Sequence, residues 1–265
     1  MESGGSRADD LDLLERAGAE AAAVALSYFG REPQVWMKEG GSPVSEADLA
    51  VDRRLADLLL GERPGYGWLS EETADTELRL TRERVFVVDP IDGTRSFLAG
   101  VKDWTVSLAV VEAGRPVVSV LVAPALGLTF HAIAGEGAFL SGRRLHASPV
   151  SKIGEASFAS SRRYAGAVRG PGPARKPRFI GSLAYRIALV ATGEIDVVIA
   201  KPDARDWDLA AADLLVHEAG ARLATLGGAN LGYNGQETTH PTLIAANPAL
   251  FGDVVELVRR VDSEP

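Results

Sequence analysis

The chain has no cysteine in its 265 residues and only 2 methionines. That absence excludes a disulfide framework, thiolate catalysis and cysteine-ligated metals, and it suits a reducing, cytoplasmic setting. Long apolar runs are missing as well. None reaches the ~20 residues that a membrane span requires, and the opening residues do not read as a signal peptide. Met1–Asp9, rich in Gly, Ser and acid, reads as a frayed tail. Positive charge is in short supply: 28 Lys and Arg stand against 36 Asp and Glu, for a formal net charge of −8. Such a balance argues against broad nucleic-acid binding. What remains is an ordinary globular composition, 46% hydrophobic and 24% charged. The chain is long enough for one large domain or two small ones, each with a real core, and it has no internal repeat.

Periodicity and turn residues supply a coarse map. Asp10–Phe29 is a long Ala- and Leu-rich helix stopped by Gly30 and Pro33, Val35–Lys38 a short strand, and Ser45–Leu60 an amphipathic helix. Trp104–Glu112 and Pro116–Ala123 alternate as a hairpin around Ala113-Gly114-Arg115, and Leu128–Ile133 adds a strand. The Gly- and Arg-rich stretch Gly135–His146 marks a switch between halves, which sets expected domains of 1–145 and 146–265. Ala165–Lys176, with its Gly-Pro-Gly-Pro, reads as an exposed loop. Beyond it lie helix Ser182–Thr192, strand Ile195–Ala200, helix Asp208–Glu218, strand Thr242–Ala246 and helix Pro248–Val261.

The most informative stretch is 85–97, Val-Phe-Val-Val-Asp-Pro-Ile-Asp-Gly-Thr-Arg-Ser-Phe. An apolar, β-branched run ends in two carboxylates, Asp89 and Asp92, at the edge of a sheet where α/β proteins keep their ligands. Pro90 stiffens the corner, and hard divalent cations want such oxygen donors. Gly93 lets backbone amides approach an anion, and the following segment can open a short helix. Asp-Pro and Asp-Gly are also common turn dipeptides, so the stretch alone leaves a simple turn open. Two further acidic clusters follow the same logic. Gly67-Trp68-Leu69-Ser70 runs into Glu71-Glu72; alternation along an extended segment would aim only one of the pair inward, and Glu71 is the choice. In Trp207-Asp208-Leu209, Asp208 sits where a helix N-cap belongs, a role compatible with offering an oxygen to a metal.

Asp89-Pro90-Ile91-Asp92-Gly93-Thr94, preceded by Glu71-Glu72 and followed by Trp207-Asp208 running to Glu218-Ala219-Gly220, resembles the inositol monophosphatase superfamily from Lys38 to about Asn234. The resemblance implies a layered α-β-α-β-α sandwich, with an antiparallel-sheet N-terminal domain stacked on a mixed α/β C-terminal one. It implies a magnesium-dependent, lithium-sensitive phosphomonoesterase that acts on a small phosphate ester and pairs as a homodimer. Residue by residue, Glu71, Asp89 and the Ile91 carbonyl would hold one Mg²⁺, and Asp89, Asp92 and Asp208 a second. Glu72 is a weaker candidate for a third, and Lys38 matches a lysine near the site. The amides of Gly93 and Thr94 would bind phosphate, and the Thr94 hydroxyl, relayed to Asp48, would orient the attacking water.

Substrate choice rests on less. Inositol-specific members carry a glutamate where this chain has Lys201, and a cation suits a second phosphate. Ser42-Pro43-Val44 and Leu69-Ser70-Glu71-Glu72 resemble the 3′(2′),5′-bisphosphate nucleotidase branch, the preferred expectation. The wording from Trp207 to Val216 is equally similar to histidinol-phosphate phosphatases, and inositol 1-phosphate is a further alternative. A function of another class, binding the transcription machinery, would use a basic docking face formed by Arg162, Arg163, Arg169, Arg175, Lys176 and Arg178.

Overall fold

Ser6 starts the first element. Its hydroxyl accepts the amide of Asp9, and the Asp9 carboxylate takes the Ser6 amide in return. Helix α1 (Arg7–Tyr28) therefore begins inside the stretch that composition marks as a frayed tail. The computed structural model describes residues 5–38, 40–160, 162–167 and 179–263. A two-stranded hairpin, β1 (Val35–Met37) with β2 (Pro43–Ser45), leads into α2 (Glu46–Glu62). Next come β3 (Gly67–Ser70), β4 (Arg84–Asp92) and the short helix α3 (Thr94–Leu98). Strands β5 (Thr105–Glu112), β6 (Arg115–Ala123) and β7 (Leu128–Ile133) follow the expected hairpin pattern closely. The Gly-rich stretch after them is not merely a connection. It adds β8 (Gly137–Leu140) and β9 (Arg143–Arg144) to the sheet.

The second part of the chain runs through β10 (Phe158–Ala159), α4 (Arg162–Ala167), α5 (Leu183–Ala191) and β11 (Val197–Ala200). It continues with β12 (Ala204–Arg205), α6 (Asp206–Glu218), β13 (Arg222–Thr225), β14 (Thr239–His240), β15 (Leu243–Ala246) and α7 (Pro248–Ser263). The expected loop at Ala165–Lys176 begins within α4. Its remainder lies outside the described residues, as do Arg169, Arg175, Lys176 and Arg178 of the basic cluster.

Seven strands form the larger sheet in the order β3-β4-β5-β6-β7-β8-β9, antiparallel except for β3 beside β4. The smaller sheet is β10-β11-β15-β13, with one parallel pair, β10 and β11. The run Val85-Phe86-Val87-Val88 is apolar on both sides because both faces of its sheet are covered. Phe86 and Val88 pack with Leu13, Leu14, Val51 and Leu55 of α1 and α2. Val85 and Val87 face the other way, into a core shared with Ala188 of α5 and Ala211 of α6. The smaller sheet turns Val198 and Ala245 toward that middle layer, and Ile199 and Ile244 toward α7. The result is the expected five-layer α-β-α-β-α sandwich. Its middle helices bring Asp208 and the start of α5 against the end of β4.

Candidate active site

A regular strand would point residues 89 and 92 to opposite faces, since side chains alternate. Here β4 pairs Asp89 with Ser107 and Asp92 with Thr105, so three steps on β4 span two on β5. This bulge contains Pro90, which has no amide to give a ladder, and it returns Asp92 to the face of Asp89. The Ile91 amide bonds back to Asp89 Oδ1 at 3.0 Å and fixes the corner. Gly93 then adopts φ 95°, a left-handed conformation that glycine takes without penalty, and α3 begins at Thr94.

Asp208 reaches the same spot from α6. The helix starts two residues earlier than its periodicity suggests, so Asp208 is its third residue rather than its N-cap. The reason is tertiary: buried Asp206 is engaged by His240 Nε2 at 2.7 Å and by the Asn234 amide at 2.7 Å, and this pins the first turn. One Asp208 oxygen accepts the Arg205 amide at 2.7 Å. Ligand atoms of Asp89, Asp92 and Asp208 lie within 4.8 Å of one another. Glu71 lines the same cavity of about 490 Å³, together with Ile91, Gly93, Thr94, Arg95 and Phe179.

The alternation argument for Glu71 over Glu72 fails because β3 ends at Ser70 and both glutamates lie in the bend beyond it. Both carboxylates meet Lys38 Nζ, at 2.8 Å for Glu71 and 2.7 Å for Glu72, and Glu72 is the deeper of the two. Burial is the main force raising Glu72 to about 7. Thr94 Oγ1 stands 3.1 Å from Asp48 Oδ1 and 3.1 Å from the Ile91 carbonyl. The other Asp48 oxygen takes the amide and hydroxyl of Ser45, so Asp48 serves the start of α2 and the site together.

The electrostatics test whether a cation fits. Burial comes first in raising Asp89 well above the ordinary carboxylate range, followed by Glu71, Asp92 and Asp208. Burial likewise lifts Asp92 to about 6 and Asp208 to about 8. Packing like charges this closely in a buried site leaves negative charge that the fields of Arg186 at Asp92 and Arg205 at Asp208 only partly offset. All donors are hard oxygens, the set that divalent cations such as Mg²⁺ and Ca²⁺ take. A divalent cation fits this donor set.

Two features escaped the sequence reading. Ser182, Leu183 and Ala184 all bond to Asp92 from the start of α5, some ninety positions away in the chain. Phe179, 89% exposed, stands at the cavity wall. Lys201 lies exposed just after β11 and is not part of the cavity lining.

A cluster of hard carboxylates that could hold a metal stands at the end of β4, and the comparisons say what class of protein carries it. The model of the inositol monophosphatase family matches residues 8–263, and the chain belongs to that family. A histidinol-phosphatase of Mycobacterium tuberculosis is 36% identical over 234 residues, 83% of this chain and 88% of that protein. The 3′(2′),5′-bisphosphate nucleotidase CysQ of Aggregatibacter actinomycetemcomitans is 30% identical over 241 residues, 87% of this chain and 88% of that one. Among solved structures, an IMPase of Thermotoga maritima superposes with a TM-score of 0.86 at 27% identity, covering 97% of this chain and 99% of its own. The protein is a phosphoric monoester hydrolase. No helix among the described residues is long and apolar enough to cross a membrane.

Proposed function

We propose that this chain is a Mg²⁺-dependent phosphomonoesterase whose substrate is a small monophosphorylated alcohol, with histidinol phosphate the first choice. The observation that carries the reading is the convergence of Asp89, Asp92 and Asp208 within 4.8 Å, with no lysine or arginine paired to them among the described residues. Glu71, Asp89 and the Ile91 carbonyl would hold one ion, Asp89, Asp92 and Asp208 a second, and Glu72 a third once Lys38 yields. Bound there, Mg²⁺ supplies an acidified water and neutralises charge at the attacking and leaving oxygens.

The chain's own groups do the rest. Asp48 accepts the Thr94 proton, which leaves the Thr94 oxygen free to take a hydrogen bond from the attacking water and aim it. Gly93 and Thr94, at the start of α3, line the cavity, and their amides, which have no partners inside the helix, would meet the phosphate oxygens there. Inhibition by Li⁺ and assembly as a homodimer belong to the same reading.

A second phosphate on the substrate would need cations to meet it. Among the described lining residues only Arg95 is cationic, and it already bonds the Gly41 carbonyl at 3.0 Å. That, and histidinol-phosphatase names on relatives 36% and 34% identical, support a monophosphate. Exposed Phe179 and half-exposed Val101 offer an apolar wall to a flat ring. The second reading is a bisphosphate nucleotidase, favoured by Ser42 and Pro43 at the cavity wall and by the CysQ relative. Comparing kcat/KM for histidinol phosphate, adenosine 3′,5′-bisphosphate and inositol 1-phosphate tests the choice. Histidinol phosphate should lead, and a lead for the bisphosphate would replace the first reading with the second.

A further inference from the structure

The Asp92 carboxylate is held from the opposite side of the cleft by the start of α5. Ser182 Oγ and the Ala184 amide, the latter at 2.7 Å, both donate to Oδ2. Oδ1 receives only a longer contact from the Leu183 amide, 3.2 Å. One carboxylate oxygen is thus saturated, while the other keeps a lone pair for the cluster with Asp89 and Asp208.

The hydroxyl's protons can be counted. Ser182 Oγ accepts the Tyr185 amide at 2.9 Å as the helix N-cap and lies 3.0 Å from Thr105 Oγ1. A serine has one proton to give, and an ionised carboxylate can only accept. The Ser182 proton therefore points at Asp92, and Thr105 must be the donor to Ser182. Thr105 stands opposite Asp92 in the β4–β5 ladder, so this chain of bonds runs from the sheet through the helix and back to the sheet.

The backbone is built to hold Ser182 there. Its amide donates to the Asp103 carbonyl at 3.1 Å, and the Gly181 amide donates to Asp103 Oδ2 at 2.9 Å. A side chain at Gly93 would press its Cβ to 3.0 Å from the Ser182 amide nitrogen, and one at Gly181 would collide with Ser96. Both glycines permit the close approach.

We propose that Ser182 is a positioning residue whose hydroxyl, itself held by Thr105, orients Asp92 as a metal ligand and so ties metal loading to the docking of α5 on the end of β4. The proposal rests on the reading of Asp92 as a ligand. Outer partners of metal ligands typically matter by roughly 10- to 100-fold in affinity or activity.

The test is calorimetric titration of Mg²⁺ into the metal-free protein, without substrate. Ser182→Ala and Ser182→Gly should each weaken Mg²⁺ binding about tenfold or more, and Ser182→Thr should restore it. The glycine variant separates this role from capping, because glycine replaces serine at an N-cap at a cost of only a few tenths of a kcal/mol. A residue that merely caps α5 predicts wild-type binding for Ser182→Gly, and that result would overturn the proposal. Thr105→Val, which keeps the shape and loses the donor, should lower affinity in the same direction by less; an unchanged affinity there would break the relay. Asp92→Asn is the control. If it binds Mg²⁺ like the wild type, the ligand reading fails and takes the proposal with it. If it loses binding while Ser182→Ala does not, only the proposal fails.

Discussion

Two buried acidic sites in this molecule look alike in composition and differ in what surrounds them. Asp10 is fully buried beside the larger cavity, about 860 Å³, lined by Asp9, Arg16, Glu62, Arg63 and Arg84 among others. Its carboxylate meets Arg63 at 3.0 Å, Arg84 at 2.9 Å and the Tyr66 hydroxyl at 2.8 Å. The buried charge there is paired, and the network ties α1 to the start of β4. Asp89, Asp92 and Asp208 form no ion pair of that kind among the described residues; Arg186 acts on Asp92 and Arg205 on Asp208 only through their fields, which burial outweighs. The smaller cavity is the one with charge left to bind something. Uncompensated charge, rather than cavity size, distinguishes a site that acts from one that holds the fold together.

Mutation should separate the two sites most sharply. Asp89→Asn removes a ligand shared by two ion positions and should abolish turnover, while the metal-free protein unfolds at the same temperature or higher because a repelling charge has gone. Asp10→Asn should do the reverse. Leaving Arg63 without its carboxylate, and Arg84 with Glu112 alone, costs about 3 kcal/mol, at the low end for a broken buried pair because both arginines are partly exposed. Activity per folded molecule should hold. Phosphate release and thermal unfolding on the same preparations check both, and a stable, inactive Asp10→Asn would erase the distinction.

Thr94→Ala should come next, with kcat reduced roughly 10²- to 10⁴-fold if the hydroxyl orients the attacking water. Its Mg²⁺ affinity should stay near normal, because the hydroxyl is not in the ligand set. Calorimetry beside steady-state kinetics tests this, and an unchanged kcat would leave the contact with Asp48 purely structural.

A smaller effect is expected from pH. Asp92 and Asp208 ionise in the fold near about 6 and about 8, above the usual carboxylate value of 3.8. Between that value and the folded ones the native state binds more protons than the unfolded chain, so stability falls as pH rises. The metal-free protein should therefore melt at lower temperature at pH 8 than at pH 5. Mg²⁺ should oppose the trend, since it needs the ionised carboxylates. A melting temperature that rises across this window in metal-free protein would contradict the assignment of uncompensated charge.

The least effect is expected at Lys201. Exposed and outside the cavity lining, it should tolerate Lys201→Glu with less than about a twofold change in kcat/KM on histidinol phosphate, the range of ordinary surface changes. A loss of about tenfold or more confined to a bisphosphate substrate would favour the nucleotidase reading.

The sequence made the end of β4 legible because its information is local: an apolar run, two acids, a proline and a glycine within ten residues. The five-layer order is implied by the family resemblance alone; helix and strand periodicity supplies the element order that it accommodates. What stayed hidden depends on partners far along the chain. The bulge that turns Asp92 to the side of Asp89 is visible only in the register with β5. Asp208 reads as an N-cap but is not one, because its helix is started by Asp206, whose partners His240 and Asn234 lie beyond the helix. The alternation rule that favours Glu71 lapses where β3 stops, though Glu71 does line the cavity, and Lys38 gathers both glutamates. Ser6 reads as tail by composition because a cap and its helix must be recognised together.

The central claim is that this cluster works only when a divalent cation neutralises it. Its most direct test is phosphate release from a single monoester by the purified chain, measured before and after exhaustive chelation and again with Mg²⁺ restored. The account predicts that turnover disappears with the metal and returns with Mg²⁺. Full turnover in the chelated protein would contradict it.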